Sequence, residues 1–342
     1  MNQANPPVQF SVVMATRDRP QLFSEALASV MRQKGVEFEI IVVNDGTRAD
    51  FLPAYQGLWD RAKAQFGERF RIEHLPFRTR GHGQSYSLNV GVSLACADYV
   101  CFLDDDDYWT DTEHLLRASQ AIAQAGDSGE TLDMYMANQD AWIEEPPQHL
   151  GTLWLGKMAK QLIAAGRTPD ENGIFKVSID DLFKVDGFCH LNCLTVRRKL
   201  YQDVGGMDEG IRWECDRDLY LRLVEVATCM RHHAGVMAHH RVPDPKKKAS
   251  MTTSLQMVEK RLLQSIVLDR ALLRTKQAVI FQHAAAHKSF ALQKLANEFA
   301  LEREWSKAAV YARQAAAIRP SLGALRLWVY CQFVGPLSKK KP

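Results

Sequence analysis

The sequence predicts an α/β protein: a mostly parallel central sheet flanked by helices, followed by an all-helical C-terminal extension. Three observations carry that expectation. Short apolar runs alternate with helical patterns over residues 1–110, which implies right-handed crossovers and a sheet covered on both faces. Each run ends in a polar turn. From about Leu255 the strand patterns give way to wholly helical ones.

Phe10 to Ala15 reads as a buried strand, ended by Thr16-Arg17-Asp18-Arg19-Pro20. Leu22, Ala26, Ser29 and Val30 then mark a helix face, and Phe38 to Val43 a second strand closed by the turn chemistry of Asn44-Asp45-Gly46-Thr47. A further helix, a strand at Phe70 to His74, a glycine-bounded helix at Gln84 to Cys96 and a strand at Tyr99 to Leu103 follow. In such sheets ligands bind beyond the carboxyl ends of the strands. Thr16-Arg17, Asn44-Asp45 and Asp104 to Asp107 are therefore expected at one rim. Residues 128–187 are less regular, with one strand at Met134 to Asn138 and many polar or proline interruptions, and read as an insertion. After it come a strand at His190 to Val196, the turn Gly205-Gly206-Met207-Asp208-Glu209, and a helix starting near Glu214 with Leu219, Tyr220, Leu223 and Val224 as its stripe.

The expected division is an α/β domain over 1–250 and a helical region over 251–342. Within the latter, residues 291–320 resemble one tetratricopeptide-type hairpin. Leu292, Ala296 and Phe299 lie on its first helix, Ala308 and Ala315 on its second, and Pro320 ends it. A generic helical hairpin with small residues at the crossing fits these positions equally. One such unit is below the three or so repeats a solenoid needs, so it must pack on something else.

With 46% hydrophobic and 24% charged residues, the chain has the balance of an ordinary soluble protein. A net charge of +3 gives no reason to expect a nucleic-acid partner, and only Lys246–Lys248 and Lys339–Lys341 concentrate basic charge. Seven cysteines without a CxxC pair suit free thiols in a reducing compartment. Met1 to Gln9 lacks the features of a signal peptide, and no stretch reaches the roughly 20 apolar residues that span a bilayer. The expected location is cytoplasmic, with any membrane contact peripheral, at the inner face.

Four carboxylates, Asp104 to Asp107, follow directly on an apolar strand. Neighbouring charges about 5 Å apart repel by roughly 3 kcal/mol per pair at an effective dielectric near 20. A divalent cation such as Mg²⁺ or Mn²⁺ relieves that repulsion, and both favour carboxylates together with phosphate oxygens. A solvated acidic turn capping the helix that starts near Asp111 is the alternative.

Taken in order, four segments resemble the family 2 glycosyltransferases of GT-A fold: "SVVMATRDRPQLFSEALASVMRQ", "EIIVVNDGT", "GHGQSYSLNVGVSLACADYVCFLDDDDYW" and "VGGMDEGIRWECDRDLYLRL". They cover roughly residues 9–245. The resemblance implies a Rossmann-like nucleotide-diphospho-sugar transferase that inverts the sugar by single displacement. It also implies Mn²⁺ or Mg²⁺ as cofactor, a nucleotide-sugar donor with UDP-sugars favoured, and a carbohydrate or glycolipid acceptor. Asp104 and Asp106 match the Asp-x-Asp pair that binds ribose and metal-diphosphate, with Asp105 and Asp107 as adjacent support. Asn44 or Asp45 matches the nucleobase contact, and the usual first aspartate is here Asn44. Thr16 and Arg17 match the nucleotide contact at the end of strand one, and Arg80 a donor-side cation. Asp216 matches the catalytic base, although Cys215 stands where the family often has glutamate and Glu214 lies one place earlier, leaving Glu214 as an alternative. A helix N-terminal role for Asp216 or Asp218 also fits.

His240 is a candidate metal or phosphate ligand and Arg241 a phosphate contact, against a structural role for either. His82 fits a donor contact or a turn. Trp142, Trp154 and Trp213 are candidate sugar platforms or core residues, with acceptor selection expected in the insertion. Leu322 to Val334 fits either an interfacial helix anchored by the lysine tail or a last helix packed on the hairpin, and these C-terminal helices are where a peripheral membrane contact or a protein partner would bind. Two rival functions remain. A sugar-1-phosphate nucleotidyltransferase would want a glycine-rich loop after strand one, which is absent here. A non-catalytic nucleotide-sugar-binding or scaffold protein would act through its helical C-terminus.

Overall fold

The computed structural model describes residues 8–185, 188–242 and 255–337. The 250/251 division, Lys246–Lys248 and Lys339–Lys341 lie outside the described residues. Contacts divide the chain into two compact units. The first comprises Met1–Gly210 with Val226–Asp244, and the second Ile211–Glu225 with Pro245–Pro342.

The first unit is built on a ten-stranded sheet. Its parallel half orders β3 (Phe70–His74), β2 (Phe38–Asn44), β1 (Phe10–Thr16) and β4 (Tyr99–Phe102) side by side. Val12, Val13, Ile40, Ile41, Val42 and Val43 are all fully buried, so both faces of the central strands are covered. Those covers are α1 (Pro20–Met31), α2 (Leu52–Phe66) and α3 (Gln84–Leu94). Pro20 opens α1, where its missing N–H costs nothing. Gly91 lets α3 sit against β1, since a Cβ there would lie 2.3 Å from Val13 Cγ1.

Beyond β4 the sheet becomes mixed. β9 (Leu194–Arg197) runs antiparallel to β4 and to β6 (Met134–Ile143), and β6 runs parallel to β10 (Met230–Arg241). The stretch 128–187, expected to be an insertion, thus supplies an interior strand. β6 continues to Ile143, five residues past the Asn138 end read from sequence, because its polar residues Asn138 and Gln139 are buried and bonded rather than solvated. Around it lie β5 (Tyr108–Trp109), β7 (Gln148–Thr152) and β8 (Ile174–Val177), which pair with β10, β6 and β10 respectively. The flanking helices are α4 (His114–Asp127), α5 (Met158–Ala164), α6 (Ile179–Lys184) and α7 (Arg198–Asp203).

The second unit is helical: α8 (Cys215–Val226), α9 (Met257–Arg274), α10 (Ala278–Leu301), α11 (Trp305–Ile318) and α12 (Leu322–Val329). Ala296, Ala300, Ala308, Ala309 and Ala312 fill the α10–α11 crossing with Cys331, ringed by Phe299, Trp305, Tyr311, Leu327, Trp328 and Tyr330. Small residues at the crossing let the backbones approach, and the aromatics close the ends. α8 is tied to these helices. Lys276 N–H donates to Glu225 at 2.8 Å, and Gln264 Nε2 to Glu214 at 3.2 Å. No helix among the described residues is long and apolar enough to cross a membrane.

Candidate active site

The parallel register Thr16↔Asn44 aligns the carboxyl ends of β1 and β2, and the acidic run follows β4 on the other side of β1. Thr16 Oγ1 donates to Asp105 at 2.7 Å and lies 2.7 Å from the Tyr55 hydroxyl, while Asp45 N–H donates to the Thr16 carbonyl at 3.0 Å. The three polar strand ends do meet at one rim.

The four carboxylates do different things because they form a turn. Asp107 N–H donates to the Asp104 carbonyl at 3.3 Å, so Asp104 and Asp107 point to one side. Asp105 and Asp106 share Arg19, whose guanidinium bonds Asp105 and reaches Asp106 at 2.7 Å. Asp107, 1% exposed, accepts from His240 Nδ1 at 2.8 Å, Arg241 N–H at 2.7 Å and Asn192 Nδ2 at 2.6 Å. Burial pushes its pKa up, but these donors and the nearby imidazoles outweigh it and hold the carboxyl below the usual range. Asp104 accepts from Gln84 Nε2 at 2.6 Å and is pushed well above the usual range by burial and by Asp106, Asp107 and Asp105. Burial pushes Asp105 to about 6 against the opposing Arg19 charge. For His240 burial lowers the pKa, yet the Asp107 bond and charge prevail and raise it.

Ligand atoms of Asp104, Asp107 and His190 lie within 4.8 Å of one another. The two carboxylates suit either Mn²⁺ or Mg²⁺, the imidazole favours the transition metal of the two, and a cation would relieve the charge that raises Asp104. Asp106 and His240, grouped with Asp104 in the sequence reading, instead bond Arg19 and Asp107. An extended Asp-x-Asp reading pairs alternate residues, whereas a turn pairs the first with the fourth. His190, Asn192, Arg19 and Gln84 were not singled out from sequence. Of these, only Arg19 carried a signal, as a cation in the strand-one turn. His190 reaches the rim through the 3-10 turn Leu191–Cys193 that precedes β9, and its ring stacks on Trp154 with centroids 5.4 Å apart and planes 4° off parallel.

On the other flank Asp45 accepts from His82 N–H at 2.7 Å, His82 Nδ1 at 2.9 Å and Gly83 N–H at 3.0 Å, fixing the loop that opens α3. Gly81 sits at φ +65°, where a Cβ would lie 2.4 Å from both Asp45 Oδ2 and Arg17 Nη1. Arg17 donates to the carbonyls of Arg78 at 2.8 Å and Thr79 at 3.2 Å, and Arg80 follows exposed on the same loop. Asn44 Oδ1 accepts from Thr47 N–H at 2.8 Å, while its buried Nδ2 has no hydrogen-bond partner among the described residues. Arg241 donates to the Asp106 carbonyl at 2.7 Å and pairs with Glu25. Trp142 stacks on His239, which bonds Glu144 at 2.9 Å.

Asp216 lies in the other unit, in the first turn of α8, and is half-buried. Glu214, at φ +61°, is bonded through one oxygen by Arg217 and through the other by Gln264. Asp218 is buried and paired with Arg222 at 2.7 Å. Trp213 lies under the Lys260 ammonium, 5.1 Å from the ring centre.

Comparison with known proteins adds to this geometry. The chain is 27% identical over 196 residues to the succinoglycan biosynthesis protein ExoW of Rhizobium meliloti, a match spanning 56% of each chain, so only about half of that relative's length is covered. Among solved structures it is similar to S. aureus TarS 1–349 in complex with UDP (TM-score 0.61, 15% identity, 95% of this chain and 89% of that one). It is likewise similar to the mannosyltransferase PcManGT of Pyrobaculum calidifontis in complex with GDP-Man and Mn²⁺ (TM-score 0.57, 15% identity, 94% and 79%). These likenesses establish the GT-A fold expected from the sequence. The model of the glycosyl transferase family 2 matches residues 11–205, more than half of the chain, and the protein belongs to that family.

Proposed function

We propose that the chain is a metal-dependent, inverting glycosyltransferase that moves a sugar from a nucleotide-diphosphate sugar to an acceptor hydroxyl by single displacement. The observation that carries this reading is the convergence of Asp104, Asp107 and His190 at the rim of the family-matched sheet. Those residues would hold Mn²⁺ or Mg²⁺, which when bound neutralises charge on a diphosphate leaving group. TarS structures contain UDP and UDP-GlcNAc, and the PcManGT structure GDP-Man with Mn²⁺, which supports a nucleotide-sugar donor with UDP-sugars favoured.

Thr16, Arg17, Asn44 and Asp45 would contact the nucleotide, and the unpartnered Asn44 Nδ2 is a ready donor to a nucleobase carbonyl. Exposed Arg80 would meet the donor phosphates. Asp106, neutralised by Arg19, would orient the rim rather than ligate. Asp216, at the family-like position opening α8, would accept the acceptor proton, with Glu214 as the alternative. The acceptor is a carbohydrate or glycolipid in polysaccharide or glycoconjugate synthesis, a setting the ExoW name suggests, and the place of action is the cytoplasmic side of a membrane.

Calorimetry with UDP-GlcNAc and a panel of other nucleotide-sugars, with and without Mn²⁺, tests the donor reading, paired with a nucleotide-release assay. Binding that requires Mn²⁺ and weakens in His190→Ala is expected. Asp216→Asn should keep donor binding and lose about 10²–10⁴-fold in turnover. Unchanged turnover sinks the base assignment, and no metal-dependent binding of any donor favours the scaffold reading.

A further inference from the structure

α12 continues through a wider turn, Tyr330–Val334, and is apolar on two opposite faces. The inner face, with Ala324 and Cys331 buried and Leu327, Trp328 and Tyr330 beside them, packs on the alanine-lined hairpin. The outer face carries Leu322 (75% exposed), Leu325 (42%), Val329 (46%) and Phe333 (61%), spaced three, four and four residues apart. That spacing places them in one stripe. A helix apolar on both faces wants a partner on both, and among the described residues only one is supplied.

Charge indicates what covers the other. Lys307 is paired with Glu304 at 2.9 Å, but from Ala308 to Pro342 there are six basic residues (Arg313, Arg319, Arg326 and Lys339–Lys341) and no acidic one. Arg326 is four residues from Leu322 and three from Val329, so it flanks the stripe, and its long side chain can lie along apolar surface while its head stays in water. A second copy of the chain would bring two such cationic segments together, which is repulsive. An anionic surface is complementary.

We propose that the Leu322–Phe333 stripe docks on an anionic lipid surface, lying in the headgroup plane with its apolar side chains in the acyl boundary and the basic residues over the phosphates. It goes beyond glycosyl transfer and stands on a different unit from the rim site. The test is flotation of the full chain with vesicles of phosphatidylcholine alone or of equal parts phosphatidylcholine and phosphatidylglycerol. Partition into the mixed vesicles should exceed that into neutral ones at least about tenfold and fall with added salt. Leu325→Ser/Val329→Ser/Phe333→Ser should cut it by about tenfold or more, while Leu301→Ser, an exposed apolar control outside the stripe, should not. Circular dichroism and melting confirm that the triple variant is folded. Should it not be, Arg326→Glu, at an exposed position, combined with Lys339–Lys341→Glu should give the same loss. Equal partition into both vesicle types, indifference to both sets of changes, or light scattering that shows a dimer dissolved by the triple variant would overturn the proposal.

Discussion

Replacing Arg19 by leucine should expose how the acidic run is held. Its guanidinium is the cation that bonds both Asp105 and Asp106, and Asp105 is 2% exposed. Removing one partner of a buried ion pair costs about 3–5 kcal/mol, because the remaining charge is uncompensated. At ~2–4 °C per kcal/mol for a domain of this size, the melting temperature should fall by on the order of 10 °C at pH 8. The sign of the pH dependence follows from Asp105, whose pKa in the folded protein is raised to about 6. A carboxyl raised on folding loses stability as pH climbs from its unfolded value of roughly 4 through its folded one. Without Arg19 the folded value rises further. The penalty should therefore be small at pH 5, where Asp105 is protonated in both proteins, and should grow above pH 6. Thermal melts in EDTA at pH 5 and pH 8 read this directly. Asp105→Asn added to Arg19→Leu should restore most of the loss at pH 8. An equal penalty at both pH values, or a double variant less stable than Arg19→Leu, would refute the account.

Two further outcomes are expected. Gly81→Ala forces a Cβ to 2.4 Å from Asp45 Oδ2 and Arg17 Nη1 at a positive φ, so it should cost about 1–3 kcal/mol in urea unfolding; unchanged stability would show that the loop shifts freely. His114 and His232 are buried and burial lowers both to about 3, so they stay neutral in the folded protein where the unfolded chain already takes protons. Stability should thus fall as pH drops from 6.5 toward 3, by about 2 kcal/mol for each of them at pH 5; His283, also lowered to about 3 by burial, adds to the fall, so His114→Gln should remove about a third of the slope in denaturant titrations at stepped pH.

The local alternation of apolar runs and polar turns made the parallel half of the sheet legible in the sequence. From it followed the meeting of Thr16, Asn44–Asp45 and Asp104–Asp107 at one rim, since parallel strands place their carboxyl ends together. The family was legible too, as four segments in order. Other features depended on contacts between residues far apart in the chain. β6 looked like part of an insertion because its polar residues carry no periodic signal, yet it pairs with β9 and β10 inside the sheet. The helix bearing Asp216 belongs by its contacts to the helical unit, and no local pattern declares that. Within the acidic run, the sequence set Asp104 and Asp106 apart as the ligating pair, with Asp105 and Asp107 as support. The tertiary structure distinguishes them: Arg19 takes Asp105 and Asp106, His240 and Asn192 take Asp107, and His190 is brought beside Asp104 and Asp107. A chain dictates its strand ends locally, whereas the partner of each charge is decided by which distant strands arrive beside it.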